Sequence, residues 1–362
     1  MRTLKSLTIE GFKSIREQSL DLAPLNVFIG SNGSGKSNLI EVFRFLREIA
    51  NQNLAGYTLI KGGANTLLHF GRKKSRGIRL RLRFADPALE NEYQVRLKST
   101  DEDGLVISAE TIGQTEIGPK LDSGITSYSI IKESGLRQMN HAFARQVVED
   151  LDSFRVYHFH DTSDTAAVKG TCDVDDNRDL RPQAENLAAL LYWLQERKPG
   201  HFASIQDTVR QIAPFFDEFR LAPSKLNESK IRLEWKEKGS DTYFNATSLS
   251  DGTLRFICLA TLLLQPDLPG LILLDEPELG LHPAAITLLA DLLASASTRT
   301  QVIVATQSVT LVNQFEPEQV WTVDREDGQS VFRHLSRADM AQWLDDYALG
   351  DLWEKNILGA RP

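Results

Sequence analysis

The chain has 362 residues, 41 Lys and Arg against 49 Asp and Glu, and a net charge of -8, with 41% hydrophobic and 25% charged residues. That length exceeds the roughly 250 to 300 residues at which a single core stops growing, so one large domain with an insertion, or two domains, is expected. The acidic balance argues against coating nucleic acid through the overall field, and no apolar run approaches the roughly 18 to 20 residues of a bilayer span, so no membrane role is expected.

Residues 1–7 alternate polar and apolar without the apolar stretch of a secretory signal, which predicts a cytoplasmic protein. Residues 3–10 and 25–29 read as strands. The second, Leu25-Asn26-Val27-Phe28-Ile29, feeds a Gly-rich loop and a helical pattern over about 37–49. Residues 78–135 turn to short alternating stretches broken by Gly, Pro and Asp, the pattern of an antiparallel sheet. At the entry to this region, residues 72–83 gather seven of the 41 Lys and Arg residues in twelve positions. On a strand, Arg79, Arg81 and Arg83 share one face while Ile78, Leu80, Leu82 and Phe84 pack inward. Such a row either tracks a phosphate backbone or is the solvated face of an edge strand. A helix over about 139–150 and a strand over 154–157 follow, then an acidic loop containing Cys172. Cys172 and the distant Cys258, which lies in an apolar helix pattern, are expected to be free thiols. Helical patterns over 184–196 and 201–213 are split by Lys198-Pro199-Gly200, which stops one helix and turns the chain. Residues 230–246 read as a hairpin around Lys238-Gly239, and from there to 324 apolar strands alternate with helices, the sign of a parallel sheet.

Three motifs carry chemistry. Gly30-Ser31-Asn32-Gly33-Ser34-Gly35-Lys36-Ser37 fits G-x-x-x-x-G-K-[ST] between an apolar strand and a helix, the context of a genuine phosphate loop. Its glycines let backbone N–H groups close around phosphate oxygens, Lys36 reaches the β and γ phosphates, and Ser37 ligates Mg²⁺. Leu271-Ile272-Leu273-Leu274 is a buried strand presenting Asp275 and Glu276 at its carboxyl end, where open α/β sheets bind ligands. Asp275 is placed for the Mg²⁺ shell and Glu276 to accept a proton from attacking water. Ser248-Leu249-Ser250-Asp251-Gly252-Thr253-Leu254-Arg255 opens an apolar helix, with Ser250 twenty-five residues before Asp275. A Ser hydroxyl and N–H groups at a helix start make an anion site, although Ser250 could equally cap its own helix.

With these motifs in this order the sequence resembles the ABC-type ATPases, in particular the branch that includes the SMC, RecF and OLD-family proteins. The resemblance covers about residues 1–50 and 245–325. It implies an α/β fold, a P-loop ABC-type head with a mixed or parallel sheet flanked by helices, carrying an inserted β-rich and helical-hairpin subdomain. The head would comprise residues 1–60 and 221–335, the insertion 61–220, and a helical tail 336–362. It also implies ATP bound with Mg²⁺ by residues 30–37 and Asn38, and a head-to-tail homodimer. In that dimer the Ser250, Asp251 and Gly252 turn of one protomer caps the γ-phosphate held by the other. Pro277-Glu278-Leu279-Gly280-Leu281-His282-Pro283 looks like the family's D-loop, in which His282 contacts nucleotide, contacts the partner protomer or caps the next helix. Compact relatives share Phe12-Lys13-Ser14, which lies near the nucleotide, and a closing stretch over 343–353 that otherwise reads as Trp and Leu residues packing a helix onto the head. The family's switch residue, usually His, follows the strand 302–305, which assigns the position to Gln307. An amide there can donate to a phosphate oxygen or orient water. The family's Gln loop falls at Tyr157-His158-Phe159-His160-Asp161, which has no Gln. His158 and His160 share one side of a strand, but no third metal ligand is evident.

The resemblance implies a Mg²⁺-dependent ATP hydrolase with Glu276, Gln307 and Lys36 in catalysis. It would act as an ATP-gated switch on DNA or on a partner protein in DNA repair or maintenance. Two alternatives stand beside it: a sensor ATPase in antiviral defence that controls a separately encoded nuclease or toxin effector, and a nucleotide-gated binding module with little turnover.

Overall fold

The computed structural model describes residues 2–85, 89–116, 123–127, 130–343 and 346–360. Parts of the β-rich stretch (86–88, 117–122 and 128–129) and Leu344 and Asp345 of the closing stretch lie outside the described residues. Strands β1 (Thr3–Phe12), β2 (Ile15–Asp21) and β3 (Leu25–Ile29) lead into α1 (Lys36–Ala50), α2 (Leu54–Ile60) and α3 (Ala64–Leu67). Next come β4 (Gly77–Ala85), β5 (Leu89–Ser99), β6 (Leu105–Glu116), β7 (Ser123–Ser127), α4 (Ala142–Asp152) and β8 (Phe154–Tyr157). They are followed by β9 (Thr171–Asp173), α5 (Leu187–Arg197), α6 (Pro199–Ile212), β10 (Phe216–Arg220), β11 (Lys230–Arg232), β12 (Glu234–Glu237) and β13 (Tyr243–Asn245). The rest is α7 (Asp251–Leu264), β14 (Leu271–Asp275), α8 (Pro283–Ser297), β15 (Gln301–Thr306), α9 (Val309–Val312), β16 (Val320–Glu326), β17 (Gln329–His334), α10 (Arg337–Met340) and α11 (Leu349–Glu354).

Contacts divide the chain into two compact units. The first holds residues 1–156, 269–273 and 300–362; the second holds 157–268 and 274–299. In the first unit one sheet runs β2-β1-β4-β5-β6-β7 with antiparallel pairing throughout. The other runs β17-β16-β3-β15-β14-β8, with β3 parallel to both β15 and β16 and β17 returning antiparallel. Every residue of β3 and of β15 is buried, the pattern of strands covered on both faces. The amphipathic α1 inserts Leu39, Val42, Phe43, Leu46 and Ile49 into one core with Leu7, Ile9, Leu80 and Leu82 of the first sheet and Phe28, Ile303 and Val323 of the second. Ile78, Leu80, Leu82 and Phe84 face inward as the alternation predicts. The basic face of β4 is partly neutralised, three arginines against two glutamates: Arg79 pairs with Glu10 at 2.8 Å, while Arg81 and Arg83 share Glu92 at 3.0 and 3.3 Å.

In the second unit Lys198 ends α5 and begins α6, with Pro199 as the first residue of the new helix, where its missing N–H costs nothing. Helix α6 packs on α5 and α7, and α7 on α8. Helix α7 is apolar on nearly all sides and buried along most of its length. Strand β12 pairs with both β10 and β13, closing the hairpin expected around Lys238-Gly239, and β9 pairs with β11.

Candidate functional site

In the first unit, the phosphate-loop sequence lies between β3 and α1. Gly35 is the N-cap of α1 and no side chain caps this helix. The first N–H groups of a helix lack intrahelical partners, and the summed peptide dipoles place roughly half a positive charge there, so an uncapped start is an anion site. The Lys36 side chain is buried over the loop, its ammonium donating to Gly30 O at 2.6 Å and Ser31 O at 3.0 Å. Asn38 donates to Ser14 Oγ at 2.6 Å and Ser330 Oγ donates to Ser34 O at 2.5 Å. The remaining 2.6 Å contact between Ser14 and Ser330 is therefore a donation from Ser14. Gly35 has φ 119°, and a Cβ there would collide with Ser330, so only glycine admits both this backbone and the close approach of β17. Arg325 on β16 donates to Gly33 O at 3.2 Å. The loop is thus held from outside by the β1–β2 turn and by the β16–β17 hairpin.

Beside Ser14, Lys13 sits at φ 46° and turns its ammonium toward Glu41 at 3.9 Å. Glu41 also pairs with Lys61 at 2.5 Å and accepts from Tyr57 Oη at 2.5 Å. Burial alone would raise the Glu41 pKa, but the bonds from Lys61 and Tyr57 outweigh it and hold this carboxyl below its ordinary value. Burial, partly offset by Glu41, lowers the Lys13 ammonium.

Gln307 falls beside the same loop. β15 runs parallel to β3 with Thr306 in register with Ile29, so Gln307 and Gly30 leave the carboxyl ends of adjacent strands together. Its neighbours turn the chain: Thr306 Oγ1 accepts from Ser308 N–H at 2.9 Å, and Ser308 Oγ caps α9 by accepting from Leu311 N–H at 3.2 Å.

The second unit gathers the other predicted residues. Asp275 closes β14, and the next residue, Glu276, adopts φ 44°, the left-handed region where a side chain is strained. His160 Nε2 lies 2.7 Å from Asp275 O, and its ring stands 5.9 Å from that of His158, edge to face. Among the described residues no three His, Cys, Asp or Glu side chains gather as a metal site. Ser250 is the N-cap of α7, its Oγ accepting from Thr253 N–H at 3.2 Å, and Asp251 lies 3.9 Å from the buried Lys169. A Cβ on Gly252 would strike Gly280 O at 2.5 Å, so the start of α7 rests directly on the 276–282 loop. His282 caps α8, its Nδ1 accepting from Ala284 N–H at 3.3 Å.

Arg255 binds these segments to one another. Its guanidinium donates to Phe159 O at 3.0 Å, His160 O at 2.8 Å, Thr162 Oγ1 at 3.3 Å and Leu279 O at 2.9 Å. Sequence reasoning missed this residue, although a signal was present: Arg255 is the one charged residue among residues 252–264. It also missed Ser330 and Arg325, which lie about 300 residues from the loop they hold and belong to no recognisable pattern.

The β-strand, glycine loop and uncapped helix, with a buried acid-ending strand and a Ser-Asp-Gly helix start, follow one another in the order and fold of an ABC-type ATPase head. The family described as "AAA domain, putative AbiEii toxin, Type IV TA system" matches residues 25–313, and the chain belongs to it. It is 39% identical over 67 residues to the DNA replication and repair protein RecF of Renibacterium salmoninarum, covering 18% of this chain and 17% of that protein. It is 35% identical over 81 residues to RecF of Acidothermus cellulolyticus, covering 22% of each. The match therefore spans about a fifth of these relatives. Among solved structures, an SMC head bound to the C-terminal winged-helix domain of ScpA superposes with TM-score 0.60 at 15% identity, covering 94% of this chain and 99% of that one. An Smc head with an extended coiled coil, bound to the C-terminal domain of ScpA derived from Pyrococcus furiosus, gives 0.57 at 14% identity, covering 96% and 99%. These likenesses establish the fold. No helix among the described residues is long and apolar enough to cross a membrane.

Proposed function

We propose that this chain is a Mg²⁺-dependent, ATP-gated switch that closes as a head-to-tail homodimer around two nucleotides and reopens on hydrolysis. The observation that carries the reading is the uncapped start of α1 beneath the glycine loop, with Lys36 over it and Gln307 alongside. The residues suit the nucleotide and the ion. The helix start and Lys36 offer N–H groups and a cation to phosphates. Ser37 and Asp275 offer the hydroxyl and carboxylate oxygens that Mg²⁺ prefers, and that ion needs few protein ligands because it keeps several waters. When bound, Mg²⁺ would neutralise phosphate charge as the terminal phosphoryl group leaves.

The chain's own groups supply the rest. Lys36 exchanges its loop carbonyls for phosphate oxygens, while Gly30, Ser31, Asn32, Gly33, Ser34, Gly35 and Asn38 form and support the cradle. Glu276 takes a proton from the attacking water, and Gln307 orients that water with its amide. Ser250, Asp251 and Gly252 of a second copy cap the far side of the terminal phosphate. Steady-state phosphate release tests the catalytic half of this scheme. Lys36→Ala should lose nucleotide binding, and Glu276→Gln should keep binding but lose roughly 10²-fold or more in turnover. Size measurement of Glu276→Gln with MgATP tests closure, and a monomer under those conditions removes the dimer.

Two targets compete. The RecF likeness favours DNA, and the family description favours an effector in a toxin or defence system. The pairing of Arg79, Arg81 and Arg83 with Glu10 and Glu92 supports the second, since a row with two of its three charges already paired gains less on a phosphate backbone. DNA affinity measured across salt, with the three arginines changed together, separates the two. A steep salt slope that the triple change flattens supports direct DNA action; weak binding indifferent to that change supports a protein target.

A further inference from the structure

The segment carrying α11 touches the phosphate loop at one peptide. Ser31 N–H donates to Ala360 O at 3.2 Å, and the Trp353 indole N–H donates to the same oxygen at 3.2 Å. Ala360 N–H is held in turn by Asp324 Oδ2 of β16 at 3.3 Å. At its other end the segment is fixed to α9, the helix that follows Gln307: Gly350 N–H donates to Asn313 Oδ1 at 2.6 Å, and a Cβ on Gly350 would meet Val309 O at 2.6 Å. Leu349, Leu352, Trp353, Leu358 and Ala360 are all buried, so the contact is packed rather than a loose end resting on the surface.

Simple packing of Trp and Leu explains the burial but not the polar contact. Ala360 O has two lone pairs, and both are used, one on the indole and one on the loop. The peptide between Gly30 and Ser31 is therefore held on its N–H side by this segment, while its carbonyl, Gly30 O, accepts from Lys36 at 2.6 Å. Tilting that N–H would move the carbonyl on which the ammonium rests. The same segment reaches the helix after the strand end that carries Gln307.

We propose that residues 349–360 form a strap that sets the first peptide of the phosphate loop, with Trp353 as its positioning residue, and that strap order and nucleotide binding are coupled. The coupling rests on the nucleotide site proposed above. Linkage makes it reciprocal: if loosening the strap weakens nucleotide, bound nucleotide tightens the strap.

Two variants test it. Trp353→Phe keeps an aromatic ring in the core and removes the indole donor, while deletion of residues 357–362 removes Ala360 itself. MgADP affinity should fall about fivefold in Trp353→Phe, the effect of one lost hydrogen bond, and further in the deletion. MgADP should also slow proteolysis within 354–360 in the wild type. Unchanged affinity in Trp353→Phe overturns the proposal, as does tighter binding in the deletion, which would make the segment a blocker. If the deletion does not fold, Trp353→Phe carries the test alone. Hydrogen exchange at the Ser31 amide without nucleotide separates this idea from the site assignment. Exchange should be faster in Trp353→Phe, and equal exchange overturns the strap whatever binds. Failure of Lys36→Ala to weaken MgADP would count against the nucleotide site instead.

Discussion

The loops of the two units are held in opposite ways. In the first unit the phosphate loop is gripped by several residues from separate elements: Ser330 at Ser34 O, Arg325 at Gly33 O and Ala360 at Ser31 N–H. In the second unit three segments, the one containing Phe159 and His160, the start of α7 and the 276–282 loop, converge on the single guanidinium of Arg255. Distributed support tolerates the loss of one contact, because the others keep the peptide planes oriented. Concentrated support transmits: a shift of Arg255 is felt by all three segments at once. The first unit therefore holds its glycine loop through several independent contacts, and the second ties its loops together through one side chain.

That contrast can be broken at its strongest point first. Arg255→Lys keeps the charge but not the planar fork, and an ammonium cannot serve four acceptors spread over two segments. Loss of two or more charged hydrogen bonds should lower stability by about 3 kcal/mol and turnover by tenfold or more, with MgADP affinity nearly intact. Thermal unfolding and phosphate release would check this, and wild-type values in both would remove the hub.

A buried carboxyl in the first unit gives the next largest effect and a pH signature. Burial, partly offset by Arg2 at 3.5 Å, pushes the Asp150 carboxyl up to about 6. A carboxyl raised in the fold favours the protonated form. Its stabilising contribution is complete below the unfolded value near 4 and disappears as pH rises through about 6. Asp150→Asn should therefore stabilise the protein at pH 7.5 relative to wild type by up to about 3 kcal/mol, with the advantage shrinking toward pH 5. Melting temperatures measured across that range decide it; a gap that is constant with pH would show that Asp150 does not titrate there. The smallest effect belongs to one contact of the distributed set. Ser330→Ala removes the bond to Ser34 O and the acceptor for Ser14; the loop-side bond is worth about 1 kcal/mol, so MgADP should weaken about fivefold with little change in turnover at saturation. A loss of MgADP affinity of about 100-fold or more would mean that the loop has a single anchor after all.

How much of this was legible follows from what each feature depends on. The strands 25–29 and 302–305 and the helix over 37–49 are set by local apolar pattern, and they appear as β3, β15 and α1. Residues 30–37, Asp275 and Ser250 stand out in the sequence by residue type at fixed local spacing, and they lie where that spacing put them, leading into α1, at the end of β14 and at the start of α7. Ser14 was visible only through the family resemblance, and it reaches Asn38 at the start of α1. The clamps were not legible. A serine at position 330 or an alanine carbonyl at 360 carries no local signal, because any residue supplies a carbonyl and only the fold decides whose N–H it meets. The histidines resisted for a related reason. Their spacing predicted one side of a strand, but β8 ends at Tyr157 and both lie beyond it, and the bond of His160 to the Asp275 carbonyl is to main chain, which sequence does not encode.

Glu276 has a consequence of its own. A glutamate at φ 44° stores strain of about 1 to 3 kcal/mol that a glycine would release. Glu276→Gly would then be selected for in any screen that rewards heat resistance and, under the role proposed above for its carboxylate, lost in any that rewards turnover. The backbone at this position and the carboxylate it carries are in conflict. An evolutionary experiment under relaxed ATP demand should find this site among the first to drift.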